Sequence, residues 1–323
     1  MKLFVILGND CNLQCTYCCQ RQIKERQIPR VIKPKFWEYF HSIPPKTSVV
    51  FFGGEPLLYF GAIKEIMSHR SDLHYGIITN GKLLDKDKVE WLNKYGVGVT
   101  VSWDGPISKK TRGYNVLQEN PNIKDVDNLC ISAVLTKWTV MHDIINRVNE
   151  LLPNKEFNLN FDFPLNFTGS QLEFEEVNVD RLYKDMCTCT ERFINGTATV
   201  PEASMIFSIL HRLMGKYNYG NKCGNGTTVI NIDLDGNLYN CHNESKPSEY
   251  SHEWDKTIKR QQGMCAKCDM LRFCGGGCSL MSDEATLRRC PIVHAYYGGV
   301  IDTLYKNYGG EKCSDIAVIM QHR

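Results

Sequence analysis

The sequence predicts an α/β protein: a partial (β/α)6 TIM-like barrel followed by a small cysteine-rich domain with a β-hairpin and helices. Three observations predict it. Short β-rich runs alternate with helical patterns through the first two thirds of the chain. Polar or Gly-rich tags stand at the ends of the first four strands. After about residue 218 the texture changes to a Gly/Asn-rich linker and then to a cysteine-dense segment. The expected division is residues 1–215 and 216–323.

Candidate strands are Leu3–Leu7, Ser48–Phe52, Tyr75–Thr79, Gly98–Ser102, Leu129–Leu135 and Asn158–Phe163. Each is rich in β-branched or aromatic residues and bounded by Gly, Pro, Asn or Asp. Helical patterns lie between them at Pro34–Ser42, Gly61–His69, Lys86–Lys94 and His142–Leu152. Lys86–Lys94 places Val89 and Leu92 at helical spacing with charges elsewhere. Six such alternations imply a parallel sheet with right-handed crossovers, either as three quarters of an eight-stranded barrel or as an open sheet. In both cases ligands belong at the C-terminal strand ends. Two further helices are expected at Val179–Ile194 and Ser204–Tyr217. A hairpin follows, Val229–Asp233 and Leu238–Cys241, with Asp235-Gly236 as its turn signal.

Composition narrows the function. The chain has 323 residues, 15 cysteines and a formal net charge of +2. That length gives ample room for a core. Near-neutral charge offers no electrostatic case for nucleic acid or an acidic membrane. The apolar run Leu3–Leu7 is too short for a signal core or a membrane span, and no later stretch is long enough. The expectation is a cytoplasmic protein. In a reducing compartment many cysteines mean metal or redox chemistry rather than disulfides.

Cys11, Cys15 and Cys18 stand in the run CNLQCTYC, just after the first strand. Three thiolates on one loop can hold three irons of a cubane cluster. The fourth iron is then open, and open positions are where metals do chemistry. A structural zinc loop would instead close with four ligands. This run resembles the radical S-adenosylmethionine (SAM) signature, with an aromatic, Tyr17, before the last cysteine. The resemblance implies a 4Fe-4S cluster whose open iron binds SAM, and cleavage of SAM to a 5′-deoxyadenosyl radical. Cys19 is extra to the pattern and reads as a bystander thiol.

The strand-end tags fit that resemblance. Gly53-Gly54-Glu55-Pro56 resembles the family's methionine-binding segment, in which Glu55 would pair with the SAM ammonium. Asn80 in the tag Thr79–Gly81, and Ser102 and Asp104 in the tag Ser102–Gly105, stand where relatives contact SAM. Asn-Gly and Asp-Gly are also ordinary turn pairs.

Seven further cysteines follow. Cys223 and Cys241 flank Gly236 as Cys-x12-Gly-x4-Cys. Cys265, Cys268, Cys274 and Cys278 run Cys-x2-Cys-x5-Cys-x3-Cys, and Cys290 closes the set. The pattern resembles the SPASM extension of peptide- and protein-modifying radical SAM enzymes. The resemblance implies two auxiliary 4Fe-4S clusters: Cys265, Cys268, Cys274 and Cys290 on the distal one, Cys223, Cys241 and Cys278 on the proximal one. One tetrahedral zinc on Cys265–Cys278 is the alternative, but it leaves three cysteines unexplained. Anaerobic sulfatase-maturing enzymes add a proximal ligand soon after the first; Gly224–Ile230 contains no cysteine. The proximal cluster then has an open iron, or a distant residue closes it. Cys187 and Cys189 are candidates, although a Cys-x-Cys in a helix points its thiols apart. Cys130 is expected in the core, and Cys313 is unassigned. Those maturing enzymes also carry an Asp as proposed base where this chain has His242, the candidate catalytic base.

The function implied is a radical SAM/SPASM maturase that abstracts hydrogen from a peptide or protein, giving a thioether, a carbon–carbon cross-link, an epimerised centre or an oxidised residue. Alternatives are a sulfatase-maturase-like protein oxidase, a small-molecule radical SAM oxidase or decarboxylase, and a non-catalytic zinc protein. The implied partners are a peptide or protein substrate and an electron donor such as flavodoxin or ferredoxin. The first strand begins at residue 3, so no leader-binding domain is expected before it. A leader would dock directly or on a separate leader-binding protein, or be absent.

Overall fold

The computed structural model describes residues 1–20, 31–164, 177–214, 223–224, 228–244, 246–247 and 255–309. Its strands are β1 (Lys2–Ile6), β2 (Ser48–Phe52), β3 (His74–Thr79), β4 (Gly98–Ser102), β5 (Leu129–Val134), β6 (Asn158–Asp162), β7 (Val229–Asp233) and β8 (Leu238–Tyr239). Its helices are α1 (Pro34–Ser42), α2 (Phe60–His69), α3 (Lys86–Lys94), α4 (Ser108–Arg112), α5 (Val116–Glu119) and α6 (Met141–Leu151). These are followed by α7 (Val179–Ile194), α8 (Val200–Met214), α9 (Asp255–Gln262), α10 (Leu271–Cys274) and α11 (Asp283–Tyr308). Every expected strand is present, with ends shifted by at most two residues.

The strands form one sheet in the order β6-β5-β4-β3-β2-β1-β7-β8. All pairs are parallel except the β7–β8 hairpin. The hairpin extends the barrel's own sheet: β7 pairs with β1 over its whole length, from Lys2↔Val229 to Ile6↔Asp233. The boundary expected at 215/216, the predicted helix end at Tyr217, and Cys313 all lie outside the described residues.

Side chains alternate across the sheet with the period of a strand. Leu3, Val5, Val49, Phe51, Ile77, Val99, Val101 and Ile131 are buried against the surrounding helices. The other face lines a cavity, and its chemistry changes across the sheet. On β1 to β3 it is apolar, with Phe4, Val50, Phe52 and Ile78. On β4 to β6 it is polar, with Thr100, Ser102, Ser132, Asn158, Asn160 and Asp162. Cys130, expected in the core, belongs to this second wall: its sulfur accepts a bond from Asn160 Nδ2 at 3.2 Å.

The cysteine-dense stretch is more helical than the sequence suggested. α11 starts at Asp283, because Ser282 Oγ accepts from Ala285 N at 3.1 Å and Asp283 and Glu284 fill the first turn. Cys290 therefore sits on a helix. The apolar face of α11, including Ile292, Tyr296, Val300 and Leu304, packs along α7. Gly299 marks the close approach: a Cβ there would stand 2.7 Å from Met186 Cβ and 2.8 Å from the Tyr183 carbonyl oxygen. Tyr183 also donates to Asp302 at 2.7 Å. Among the described residues, no helix is long and apolar enough to cross a membrane. Gly299→Leu should force α11 off α7 and cost about 1–3 kcal/mol, read as a lowered urea midpoint.

Candidate functional site

The C-terminal ends of the parallel strands open into a cavity of about 1470 Å³. Its rim is built around the loop after β1. Gly54 N donates to Gly8 O and Glu55 N to Asp10 O, each at 2.8 Å. The two glycines lie flat on that loop. A Cβ on Gly54 would meet Asp10 O at 2.2 Å, and one on Gly53 would meet Gly8 O at 2.4 Å. Glycine is needed here for close backbone approach.

Glu55 lies beneath this contact, fully buried. Its carboxylate accepts from Leu57 N at 3.0 Å, Thr79 Oγ1 at 2.6 Å and Asn80 N at 2.8 Å. Burial pushes its carboxyl upward against these three donors. The same contacts fix Asn80, whose Nδ2 reaches Asn12 Oδ1 at 2.8 Å and Cys11 Sγ at 3.8 Å.

The other side of the cysteine loop rests on α4. Thr16 N donates to Thr111 O at 2.8 Å. Asp104, fully buried, takes a bidentate pair from Arg112, with Nε and Nη2 each at 3.0 Å. It also accepts from Tyr17 Oη at 2.5 Å, Thr111 Oγ1 at 2.7 Å and Val134 N at 3.0 Å. The guanidinium also lies over the Tyr17 ring, 5.3 Å from its centroid. Burial opposes the Arg112 charge, but Asp104 more than offsets it and holds the guanidinium above its usual range.

Of the expected SAM-contacting residues, Tyr17, Gly53, Gly54, Asn80 and Ser102 line the cavity. Glu55 and Asp104 stand behind the wall and hold its other members in place. Arg112 also lines the cavity. It escaped the sequence reading because nothing in the run Lys109–Arg112 separates a buried arginine from its solvated neighbours; its spacing from Asp104, one short helix away, was the available signal.

The thiols fall into three sets. Burial raises Cys15 to about 11, relieved by Arg112 and reinforced by Cys18 and Cys11. Burial also raises Cys241, with Cys278 and Cys223 as its neighbouring thiols. Cys290 is raised by burial and then by Cys274, Cys265 and Cys268, and Cys265 likewise by Cys274 and Cys268. The seven downstream cysteines thus divide into Cys223, Cys241 and Cys278, and Cys265, Cys268, Cys274 and Cys290. The first two sets share the cavity; of the third, only Cys274 reaches it. Cys187 and Cys189 do not line it. Cys189 is buried on α7 against Glu202, 3.6 Å from Oε1.

Among the described residues, no three His, Cys, Asp or Glu side chains converge tightly enough for a single metal ion. A cubane spaces its thiolates more widely, one on each iron. The donor sets suit such clusters in kind, being all thiol. Asn12 Nδ2, beside Cys11, is buried without a protein partner, so a donor remains there for a bound group.

Arg260 braces the loop between Cys274 and Cys278, which belong to different sets. Its Nη1 donates to Cys278 O at 2.9 Å and Gly276 O at 3.4 Å, and its Nε pairs with Asp283 at 2.6 Å. His294 Nε2 lies 3.8 Å from Cys268 Sγ. In the cavity, the His242 ring packs against Phe4 and Phe52, with centroids at 4.8 and 4.5 Å. Its Nδ1 lies 3.3 Å from Asn231 Oδ1. Asn231 Nδ2 donates to the carbonyls of Tyr239 and Asn240, so Oδ1 is the acceptor and His242 Nδ1 the donor. In the neutral ring, Nε2 then carries the lone pair.

Residues 5–118 match the Radical SAM superfamily, a span that holds the first cysteine loop and the three strand-end tags that follow it. This chain carries a radical SAM domain. Such a domain works with SAM and a 4Fe-4S cluster. The radical SAM cyclopropyl synthase TigE of Paramaledivibacter caminithermalis is 29% identical over 171 residues, 42% of this chain and 35% of that protein. An uncharacterized protein of Methanocaldococcus jannaschii is 28% identical over 162 residues, 48% of this chain and 55% of its own length. The chain thus spans from a third to about half of these two relatives. A cysteine-type anaerobic sulfatase-maturating enzyme of Clostridium perfringens is 23% identical over 337 residues, 86% of this chain and 88% of that protein.

Among solved structures, native anSMEcpe with bound AdoMet and Cp18Cys peptide superposes with a TM-score of 0.70 at 19% identity, covering 95% of this chain and 99% of that one. Streptococcus suis SuiB bound to precursor peptide SuiA gives 0.58 at 18% identity, covering 86% and 72%. At these identities the likeness is one of fold, and it matches the mixed α/β partial barrel.

Two variants probe the scaffold. Asp104→Ala leaves Arg112 buried without its carboxylate and should cost about 3–5 kcal/mol, read from denaturant unfolding. Gly54→Ala should displace the loop at Asp10 and lower the iron that the chain takes up on anaerobic reconstitution, measured against the parent chain.

Proposed function

We propose that this chain is a radical SAM maturase that removes hydrogen from a side chain or backbone carbon of a peptide or protein, with three 4Fe-4S clusters. The carrying observation is the shared cavity: Cys11, Cys15 and Cys18 line it together with Cys223, Cys241 and Cys278. A substrate between them would meet both. When bound, SAM and the first cluster together supply the 5′-deoxyadenosyl radical.

In this reading Cys11, Cys15 and Cys18 hold the first cluster, and Asn80 and Asn12 fix the Cys11 end of its loop. Gly53, Gly54, Ser102 and Tyr17 form the SAM wall. Glu55 and Asp104, which the sequence reading placed on SAM, act one layer behind. Cys265, Cys268, Cys274 and Cys290 hold the distal auxiliary cluster. The polar wall of β4 to β6, with its hydroxyl, amide and carboxylate groups, suits the amides of a peptide, while Phe4, Val50 and Phe52 keep the opposite side dry. His242 Nε2 accepts the substrate proton that leaves when the carbon radical is oxidised, and its packing on two aromatic rings fixes its aim. Cys223, Cys241 and Cys278 would hold the proximal auxiliary cluster, which would take up the electron of that oxidation, and a donor such as flavodoxin or ferredoxin would supply the electron that SAM cleavage uses. Two of the similar structures support a peptide substrate, since anSMEcpe was solved with the Cp18Cys peptide and SuiB with the precursor peptide SuiA.

The anaerobically reconstituted chain should bind about twelve irons, four for each cluster, and cleave SAM to 5′-deoxyadenosine under reducing conditions. A chain that loads only zinc, or leaves SAM intact, would sink this reading. With a substrate in hand, His242→Gln should still form 5′-deoxyadenosine but yield oxidised product about 100-fold more slowly. Equal loss of both products would instead assign His242 to the folding of the cavity.

A further inference from the structure

The set Cys223, Cys241 and Cys278 offers three thiols, one fewer than a closed cubane takes. The linker that might have supplied a fourth contains no cysteine among residues 224–230. Cys187 and Cys189 stand elsewhere, on α7. Among the described residues, a thiol that lines the cavity and docks beside this set is Cys19, which the sequence reading set aside as a bystander.

Cys19 directly follows the last cysteine of the first loop but faces the second set. Its sulfur lies 3.6 Å from Asn243 Oδ1. Asn243 N in turn donates to Cys241 Sγ at 3.4 Å. One asparagine thus separates the two sulfurs. Gln20 Nε2 also donates to Asn243 Oδ1, so the Cys19–Gln20 segment docks on the Cys241–Asn243 loop at two points. Cys19, Cys223, Cys241 and Cys278 all line the cavity.

We propose that Cys19 is the fourth protein ligand of the cluster held by Cys223, Cys241 and Cys278. This deepens the reading above and rests on its auxiliary clusters. Coordination would release the Cys19 proton and form one iron–sulfur bond, with no change of oxidation state. The second cluster would then be closed, suited to passing electrons rather than to binding substrate. Cys18 and Cys19, adjacent in the chain, would belong to different clusters, placing one peptide bond between the radical-forming site and its electron acceptor.

The test uses the full chain with Cys11→Ala, Cys15→Ala and Cys18→Ala, which removes the first cluster, reconstituted with 57Fe and read by Mössbauer and EPR spectroscopy. This chain should hold about eight irons, four in each auxiliary cluster. Adding Cys19→Ala should open one iron of the second set, so that mild oxidation expels it and a 3Fe-4S signal appears. Cys19→Ser should keep all the irons and shift one Mössbauer component. The signal of the third set should stay constant in both, which reports that the region remains folded.

An unchanged spectrum on Cys19→Ala would overturn the proposal. So would an effect seen only when Cys11, Cys15 and Cys18 are intact, which would assign Cys19 to the first cluster, or a Cys19–Cys278 disulfide in the iron-loaded chain. If the background chain bound no iron, the auxiliary clusters themselves would fall.

Discussion

The contact on which this cavity depends is between two stretches of backbone. Gly53 and Gly54, at the end of β2, lie against the chain that leaves β1. No side chain intervenes, and none fits. Two hydrogen bonds fix how the next residues leave the sheet, and those residues are Cys11 to Cys18. Glu55 sits under the same contact and carries its alignment to Asn80, which returns to Cys11. The spacing of the three cysteines says that they can surround a cluster. The glycine contact decides where in the molecule they stand.

Electrostatics supports each cysteine loop in a similar way. A bound cluster gathers thiolate charge in a poorly solvated place. Arg112 is buried beside the first loop and Arg260 beside the last. Each is paired with a carboxylate, Asp104 or Asp283, and a buried charge needs such a partner. Arg112 reaches Cys15 through space, while Arg260 grips the backbone of Gly276 and Cys278. The first arrangement offsets charge, and the second holds loop shape.

Much of this was readable from the residues. The strands showed their alternation and their bounding Gly, Asn and Asp, so their ends could be placed closely. The seven downstream cysteines stood out by their number and spacing. What escaped detection depended on distance in three dimensions. Nothing near residue 229 says that β7 will pair with β1, because parallel pairing carries no turn signal. Cys19 looked surplus because its neighbours in sequence are the first loop, while its neighbours in space are Asn243 and Cys278. Glu55 and Asp104 carried the right motif signature, yet their carboxylates are taken up by interior donors. A short motif identifies which residues matter, but not which of them face the cavity.

The pairing of β7 with β1 joins the beginning of the chain to a segment near its end. During synthesis, one edge of β1 has no strand beside it until residues 229–233 have been made. The loop of Cys11, Cys15 and Cys18 needs only β1, β2 and the ends of β3 and β4, all of which come early. Cys241 and Cys278 come late, and they reach their places once β7 has docked. The molecule therefore has a built-in order of assembly: the early half can shape a pocket for iron while the late half is still being made. The join of β7 to β1 then brings the second group of thiols to its mouth.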